Sequence, residues 1–277
     1  MYGVVTRDPE ELSWDVFDGG FYEVKDVGGR RTDPTTEGVN MISAFGDNAV
    51  ARDTPELVAE DADGNKATWE RPYFDWAYVC PSVTDYRDQL LQLVEDAAAA
   101  YPDVRLDDVG FPRAEYCHCE RCESAFEAAD YEDYGTFRSD TITEFVAAAA
   151  DRVPGRTYLT LYPDPYPGHL EERNGLDLAA VDPHVDEYVV TLYDTHYGTT
   201  YWLETIAKGF EDLLESPFSI ELYAADVEVD NLIHAAEVAE AYATDVYFGY
   251  EAATARAAIR RLRAEERTGE TFGERDE

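Results

Sequence analysis

The sequence predicts a single closed (β/α)8 barrel, the TIM-barrel class, and three observations lead there. Apolar runs of strand length recur eight times, at residues 2–6, 39–45, 76–80, 105–111, 157–162, 188–193, 218–224 and 246–250. Segments of helical length, rich in Ala, Leu and Glu, lie between the later runs, at 84–100, 132–151, 201–215 and 230–243, and a last one at 252–266 closes the chain. The length, 277 residues, is near that of one such barrel.

Strict strand–helix alternation implies parallel strands joined by right-handed crossovers, and eight units imply closure. The first two connections break the pattern. Residues 7–38 and 46–75 carry turn clusters such as Asp18-Gly19-Gly20 and Asp63-Gly64-Asn65, so long loops are expected after strands 1 and 2. Loops that follow strands lie on the C-terminal face, where barrel active sites are built, which makes both candidate lids. One domain is expected over 1–277, with 267–277 as a flexible acidic tail.

Charge narrows the partners. The chain has 22 basic and 60 acidic residues, a net charge of −38, and 45% apolar content. The regular apolar spacing argues against disorder, so the acid must sit on solvated faces. Lysines are confined to Lys25, Lys66 and Lys208. Abundant acid with Arg in place of Lys resembles the proteins of salt-in halophilic archaea. Such a surface repels nucleic acid and anionic membranes, which recruit basic patches. The N-terminus lacks a basic region followed by an apolar stretch, and no run approaches the ~20 apolar residues of a membrane span. A cytoplasmic protein is expected, acting on a small carbohydrate, with homo-oligomerisation left open.

The cysteines are the sharpest signal. Cys117-His118-Cys119-Glu120-Arg121-Cys122 follows the fourth expected strand and Cys80-Pro81-Ser82 ends the third. Adjacent strand ends would bring Cys80, Cys117, Cys119 and Cys122 to one spot, and four thiolates in a closed tetrahedral site are what structural Zn2+ requires. An iron–sulfur cluster is the alternative thiolate-bound group, and His118 is expected to point outward. This arrangement, followed by Phe126, resembles the zinc cluster of family 42 glycoside hydrolases, the β-galactosidases. In that family an Asn-Glu pair at the end of the fourth strand carries the acid/base glutamate nine residues before the cysteine triplet. Here the position is Asp108, preceded by Asp107. The segment Ser216-Pro217-Phe218-Ser219-Ile220-Glu221 likewise resembles the family's seventh strand, which holds the nucleophile. The resemblance implies a retaining mechanism and covers strands three, four and seven.

Strand parity sorts lumen-facing positions from helix-facing ones. It places Ser219, Glu221 and Tyr223 inward on the seventh strand, Tyr247, Gly249 and Glu251 on the eighth, and Tyr158, Thr160, Tyr162 and Asp164 on the fifth. Thr191 and Tyr193 face inward on the sixth, with Asp194 and His196 at its exit. Carboxylates with tyrosines suit sugars: one protonated carboxyl releases a leaving oxygen, a carboxylate stabilises or attacks the oxocarbenium-like centre, and aromatic faces stack on sugar rings. The expected catalytic residues are Asp108 and Glu221, with Asp107 and Glu251 in reserve. Tyr162, Asp164, Tyr193, Asp194, His196 and Tyr223 are expected to bind substrate. Two other functions fit the same mouth. One is a sugar isomerase or epimerase with a divalent metal held by Asp194, His196, Glu221 or Glu251. The other is a carbohydrate-binding barrel without catalysis.

Overall fold

The computed structural model describes residues 1–273. Eight parallel strands close into a barrel in chain order, with β1 pairing both β2 and β8. The strands are β1 (Tyr2–Thr6), β2 (Gly19–Lys25), β3 (Val39–Ser43), β4 (Val104–Asp107), β5 (Thr157–Leu161), β6 (Glu187–Thr191), β7 (Phe218–Tyr223) and β8 (Val246–Gly249). Around them lie α1 (Asn48–Asp53), α2 (Thr84–Ala100), α3 (Glu120–Ala128), α4 (Tyr134–Ala150), α5 (His169–Asn174), α6 (Leu178–Val181), α7 (Tyr201–Leu213), α8 (Val229–Glu240) and α9 (Ala252–Gly273). The expected tail is thus helical backbone as far as Gly273, and 274–277 lie outside the described residues. No helix is long and apolar enough to cross a membrane among the described residues.

The closed barrel agrees with the sequence reading, but one strand does not. Residues 76–80 form only isolated antiparallel bridges, Tyr78 with Gly46 and Val79 with Val58. The true second strand is Gly19–Lys25, inside the first supposed loop, and 39–45 therefore contributes the third. The long connection over the mouth is 44–83, after β3, whereas β1 and β2 are joined through little more than the 3-10 turn Pro9–Ser13. The error has a physical source. Trp76-Ala77-Tyr78-Val79-Cys80 is apolar throughout, while β2 carries two glycines and the charged Glu23 and Lys25, which burial would disfavour had they no partners.

Two apolar layers hold the fold. Val5, Phe21, Met41, Tyr158, Val189 and Tyr247 fill the lumen, and the outer faces of the strands pack on the helices, as Leu90, Leu91, Val94 and Ala97 of α2 show. Among the described residues the buried carboxylates are Glu23, Asp26, Asp47, Glu187 and Glu221. Each has a cationic neighbour: Arg7 and Arg30 for Glu23, Arg30 for Asp26, Lys25 for Asp47, Arg156 for Glu187 and Arg105 for Glu221. Pairing is what lets these charges leave water.

Candidate active site

At the C-terminal mouth lies a cavity of about 430 Å³, bounded by strand ends and by the 44–83 connection. Its carboxylates are Glu23 from β2, Asp107 at the end of β4, Asp108 just after it, and Asp75 from the 44–83 connection; Trp76, Tyr78, Tyr162, Tyr193 and Tyr250 supply aromatic walls. Arg7 and Arg173 are the cations that reach it.

Asp108 is held by the turn that ends β4. Its φ of 49° lies in the left-handed region that few residues other than Gly, Asn and Asp enter. The Asp108 N–H donates to Asp107 Oδ1 at 2.8 Å, and Ser43 Oγ donates to Asp108 Oδ2 at 2.6 Å. Gly46 makes room for the carboxyl, since a Cβ there would stand 3.1 Å from Asp108 Oδ2. Burial, then the neighbouring Asp107, push the Asp108 carboxyl up to about 7, against the Ser43 hydrogen bond and the Lys25 charge. A carboxyl so placed retains its proton near neutrality, as a general acid must. Lys25 sits behind it, fully buried, donating to the carbonyls of Ser43 and Gly46 at 2.8 Å each.

Glu221 lies in the lumen, as parity predicts, but not on the cavity. It is 0% exposed, ion-paired to Arg105 at 2.6 Å, and accepts a hydrogen bond from the hydroxyl of Tyr193, which does line the cavity. Gly249 of β8 leaves space for it, since a Cβ there would fall 2.7 Å from Glu221 Oε1. Burial raises this carboxyl and the Arg105 guanidinium opposes that rise. Arg105, itself buried, donates to Thr160 Oγ1 at 2.9 Å and lies 4.7 Å over the Phe21 ring. The carboxylate expected to attack a sugar therefore serves as the counter-ion of a buried arginine beneath the site.

The other expected residues divide. Tyr162 and Tyr193 border the cavity. Tyr223 does not line it and packs against Tyr193, ring centroids 5.5 Å apart. Asp164 turns to the neighbouring loop, its carboxylate meeting His169 Nδ1 at 3.1 Å. Asp194 accepts from the His196 N–H at 3.2 Å, and neither borders the cavity, because the chain leaves the barrel directly after β6. Glu251 is exposed and its carboxylate accepts from the Ala253 N–H at the start of α9. The divalent-metal set of Asp194, His196, Glu221 and Glu251 does not assemble: among the described residues only the four cysteines form a group with metal-ligand spacing. Sequence reasoning missed Glu23, Arg7 and Tyr250. Glu23 was hidden with its strand, and its alternation with Phe21 and Lys25 was the available signal. Tyr250 follows the last strand residue, where parity no longer applies.

Cys80, Cys117, Cys119 and Cys122 are all buried, with their sulfurs within 4.8 Å of one another. Cys80 Sγ lies 3.6 Å from Cys119 Sγ and 3.4 Å from Cys122 Sγ. Tetrahedral bonds of ~2.3 Å place sulfurs about 3.8 Å apart, so the group fits a metal ion with little movement. The Glu60 and Ser82 N–H groups donate to Cys117 Sγ and Cys80 Sγ at 3.4 Å each, which favours thiolates. His118 points away, bonding Glu123 at 2.7 Å and stacking on Tyr134. Cys80 comes from the 44–83 connection, Cys117 and Cys119 from the β4–α3 loop and Cys122 from the first turn of α3, so a metal here would tie the wall carrying Trp76 and Tyr78 to the loop that follows Asp108 and to the helix it enters.

No family model matches the chain, and no curated protein does either. Solved structures match in fold. α-L-Fucosidase isoenzyme 2 from Paenibacillus thiaminolyticus superposes with a TM-score of 0.63 at 13% identity, over 93% of this chain and 46% of that one. The spore cortex-lytic enzyme SleL of Bacillus megaterium QM B1551 gives 0.56 at 9%, over 94% and 72%. A GH20 exo-β-N-acetylglucosaminidase from Vibrio harveyi gives 0.51 at 9%, over 93% and 53%. The chain thus spans about half the length of the first and third of these enzymes. What the likeness establishes is the fold, a (β/α)8 barrel.

Proposed function

We propose that the chain is a carbohydrate-active hydrolase whose proton donor is Asp108. One observation carries the reading: the Asp108 carboxyl, bonded by Ser43 and enclosed so that burial and Asp107 push it up to about 7, borders an aromatic-walled cavity together with the Asp107 and Glu23 carboxylates. Asp108 would protonate the departing glycosidic oxygen. Glu23, on a different strand, would activate water or stabilise the developing positive charge across the ring, with Arg7 holding it in place. Tyr193 and Tyr162 would contact the sugar. The family 42 resemblance supports Asp108 in this role and implies retention through Glu221, which would require Tyr193 to swing off it.

The four cysteines would hold a structural Zn2+, whose contribution is to fix the cavity wall. Cysteines that form no disulfide and a −38 charge suit a reducing, salt-rich cytoplasm.

A second reading has an observation of its own. Both residues of the Asp107-Asp108 pair line the cavity while Glu221 does not. A substrate that brings its own nucleophile, as 2-acetamido sugars do in substrate-assisted families, needs no enzyme nucleophile. The glucosaminidase likeness is compatible with that. Turnover of a panel of aryl glycosides, N-acetylglucosaminides included, tests both readings. Asp108→Asn should lower kcat by ~100-fold or more, and loss in Glu23→Gln with inverted product would support the first reading. Retention on acetamido sugars alone would support the second. Unchanged turnover in Asp108→Asn would refute both.

A further inference from the structure

Beside the mouth, the β5–α5 connection and the exposed face of α7 enclose a second groove of about 580 Å³. Its wall is the run Tyr162-Pro163-Asp164-Pro165-Tyr166-Pro167, and Ile206 and Asp212 of α7 face it. Three prolines with fixed φ make the wall stiff before any ligand arrives. The Pro165 ring sits against Gly209, where a Cβ would come within 2.6 Å of it. Asp164 braces the turn, accepting from the Tyr166 N–H at 3.2 Å and meeting His169 at 3.1 Å. Tyr166 is left 66% exposed.

The chemistry of this groove is selective. It offers apolar ring faces, and its charged residues are the acceptors Asp164 and Asp212, with no Arg or Lys among its lining. Such a surface disfavours phosphate, sulfate and uronate groups and suits the apolar face and hydroxyl rim of a neutral sugar. Its position supplies the second constraint, because Tyr162 lines both this groove and the mouth cavity. Arg173 stacks on the Tyr162 ring at 3.8 Å, and Tyr162 stays 48% exposed.

We infer that the groove is a remote subsite which binds a further neutral sugar unit of the same saccharide that occupies the mouth, so the natural ligand is a neutral oligosaccharide rather than a single glycoside. The inference rests on the carbohydrate reading of the mouth. Binding energy from such a remote unit helps to position the scissile bond.

Calorimetric titration with cello-, chito- and β-1,4-galacto-oligosaccharides of one to six units tests it. In the intact protein, affinity for the series that binds should rise at least about tenfold between short and long members, corresponding to ~1.4 kcal/mol. Tyr166→Ala, which removes the exposed ring, and Thr205→Trp, which fills the groove, should each abolish that increment and leave affinity for the shortest ligand unchanged. A length increment that persists in both variants would overturn the subsite while leaving the mouth's function standing. A groove-dependent increment with no hydrolysis of any oligosaccharide would instead overturn the hydrolase reading and leave the subsite as part of a binding protein. If no probe binds the intact protein, both fall.

Discussion

Asp108 shows how far single residues can be read from sequence. Its position nine residues before the cysteine triplet marked it, but nothing in the sequence tells that Ser43, Lys25 and Gly46 enclose it. Glu221 is the converse case, since parity gave its direction and could not give its depth. Depth depends on what covers a side chain, and the cover is Tyr193. The raised Asp108 carboxyl also has a consequence for stability. Its ordinary value is 3.8 and its folded value about 7, so the folded state binds the proton more tightly than the unfolded state does. The stability this contributes is fully present below ~pH 4 and is lost as pH rises through about 7. Asp108→Asn removes the titration and retains a residue that tolerates positive φ. From pH 5 to pH 8 the variant should therefore gain stability relative to the parent, by on the order of 2 kcal/mol. Urea midpoints at the two pH values, in molar KCl, measure this, and a gap independent of pH would show that Asp108 is ionised throughout.

At the scale of elements, long amphipathic segments were legible and short polar strands were not. Helices α2, α4, α7 and α8 fall where 84–100, 132–151, 201–215 and 230–243 place them, because burial of one face repeats over several turns. Strand β2 escaped because its seven residues include Glu23 and Lys25, whose burial is tolerated only through partners distant in sequence such as Asp47. The misplaced strand at 76–80 even so brings Cys80 to the other cysteines, by a loop crossing the barrel top and not by a strand ending there. That loop contains only short helices and isolated bridges, so its order should depend on the metal. Purified protein should carry about one zinc per chain. Cys119→Ser should remove several kcal/mol of stability and raise amide exchange across 55–80 and 111–122 before the barrel strands are affected. Metal-free protein whose loops remain protected would show that apolar packing alone suffices there.

For the molecule as a whole, the unusual quantity is charge. Because the buried carboxylates are each paired, the excess of acid lies on the surface, and exposed residues of one helix illustrate it: α2 alone displays Asp85, Asp88, Glu95 and Asp96. In dilute buffer the Debye length of ~30 Å at 0.01 M lets such charges repel across much of the barrel, whereas ~3 Å at 1 M confines each to its neighbours. Unfolding lets the charges separate, so repulsion acts against the compact state at low salt and fades as salt is added. The melting temperature should accordingly rise steeply up to about 1 M KCl, then more gradually as salt strengthens apolar burial. A charge-reversed variant separates the two effects. Asp88→Lys combined with Glu95→Lys on α2 changes the net charge by four and leaves buried contacts untouched. At 0.05 M KCl it should melt a few degrees above the parent, about 2–4 °C if the relief is ~1 kcal/mol. In 2 M KCl the two proteins should melt together. An advantage that persists at high salt would mean that local helix effects stabilise the variant, and a flat melting temperature in the parent would mean that repulsion is not what salt relieves.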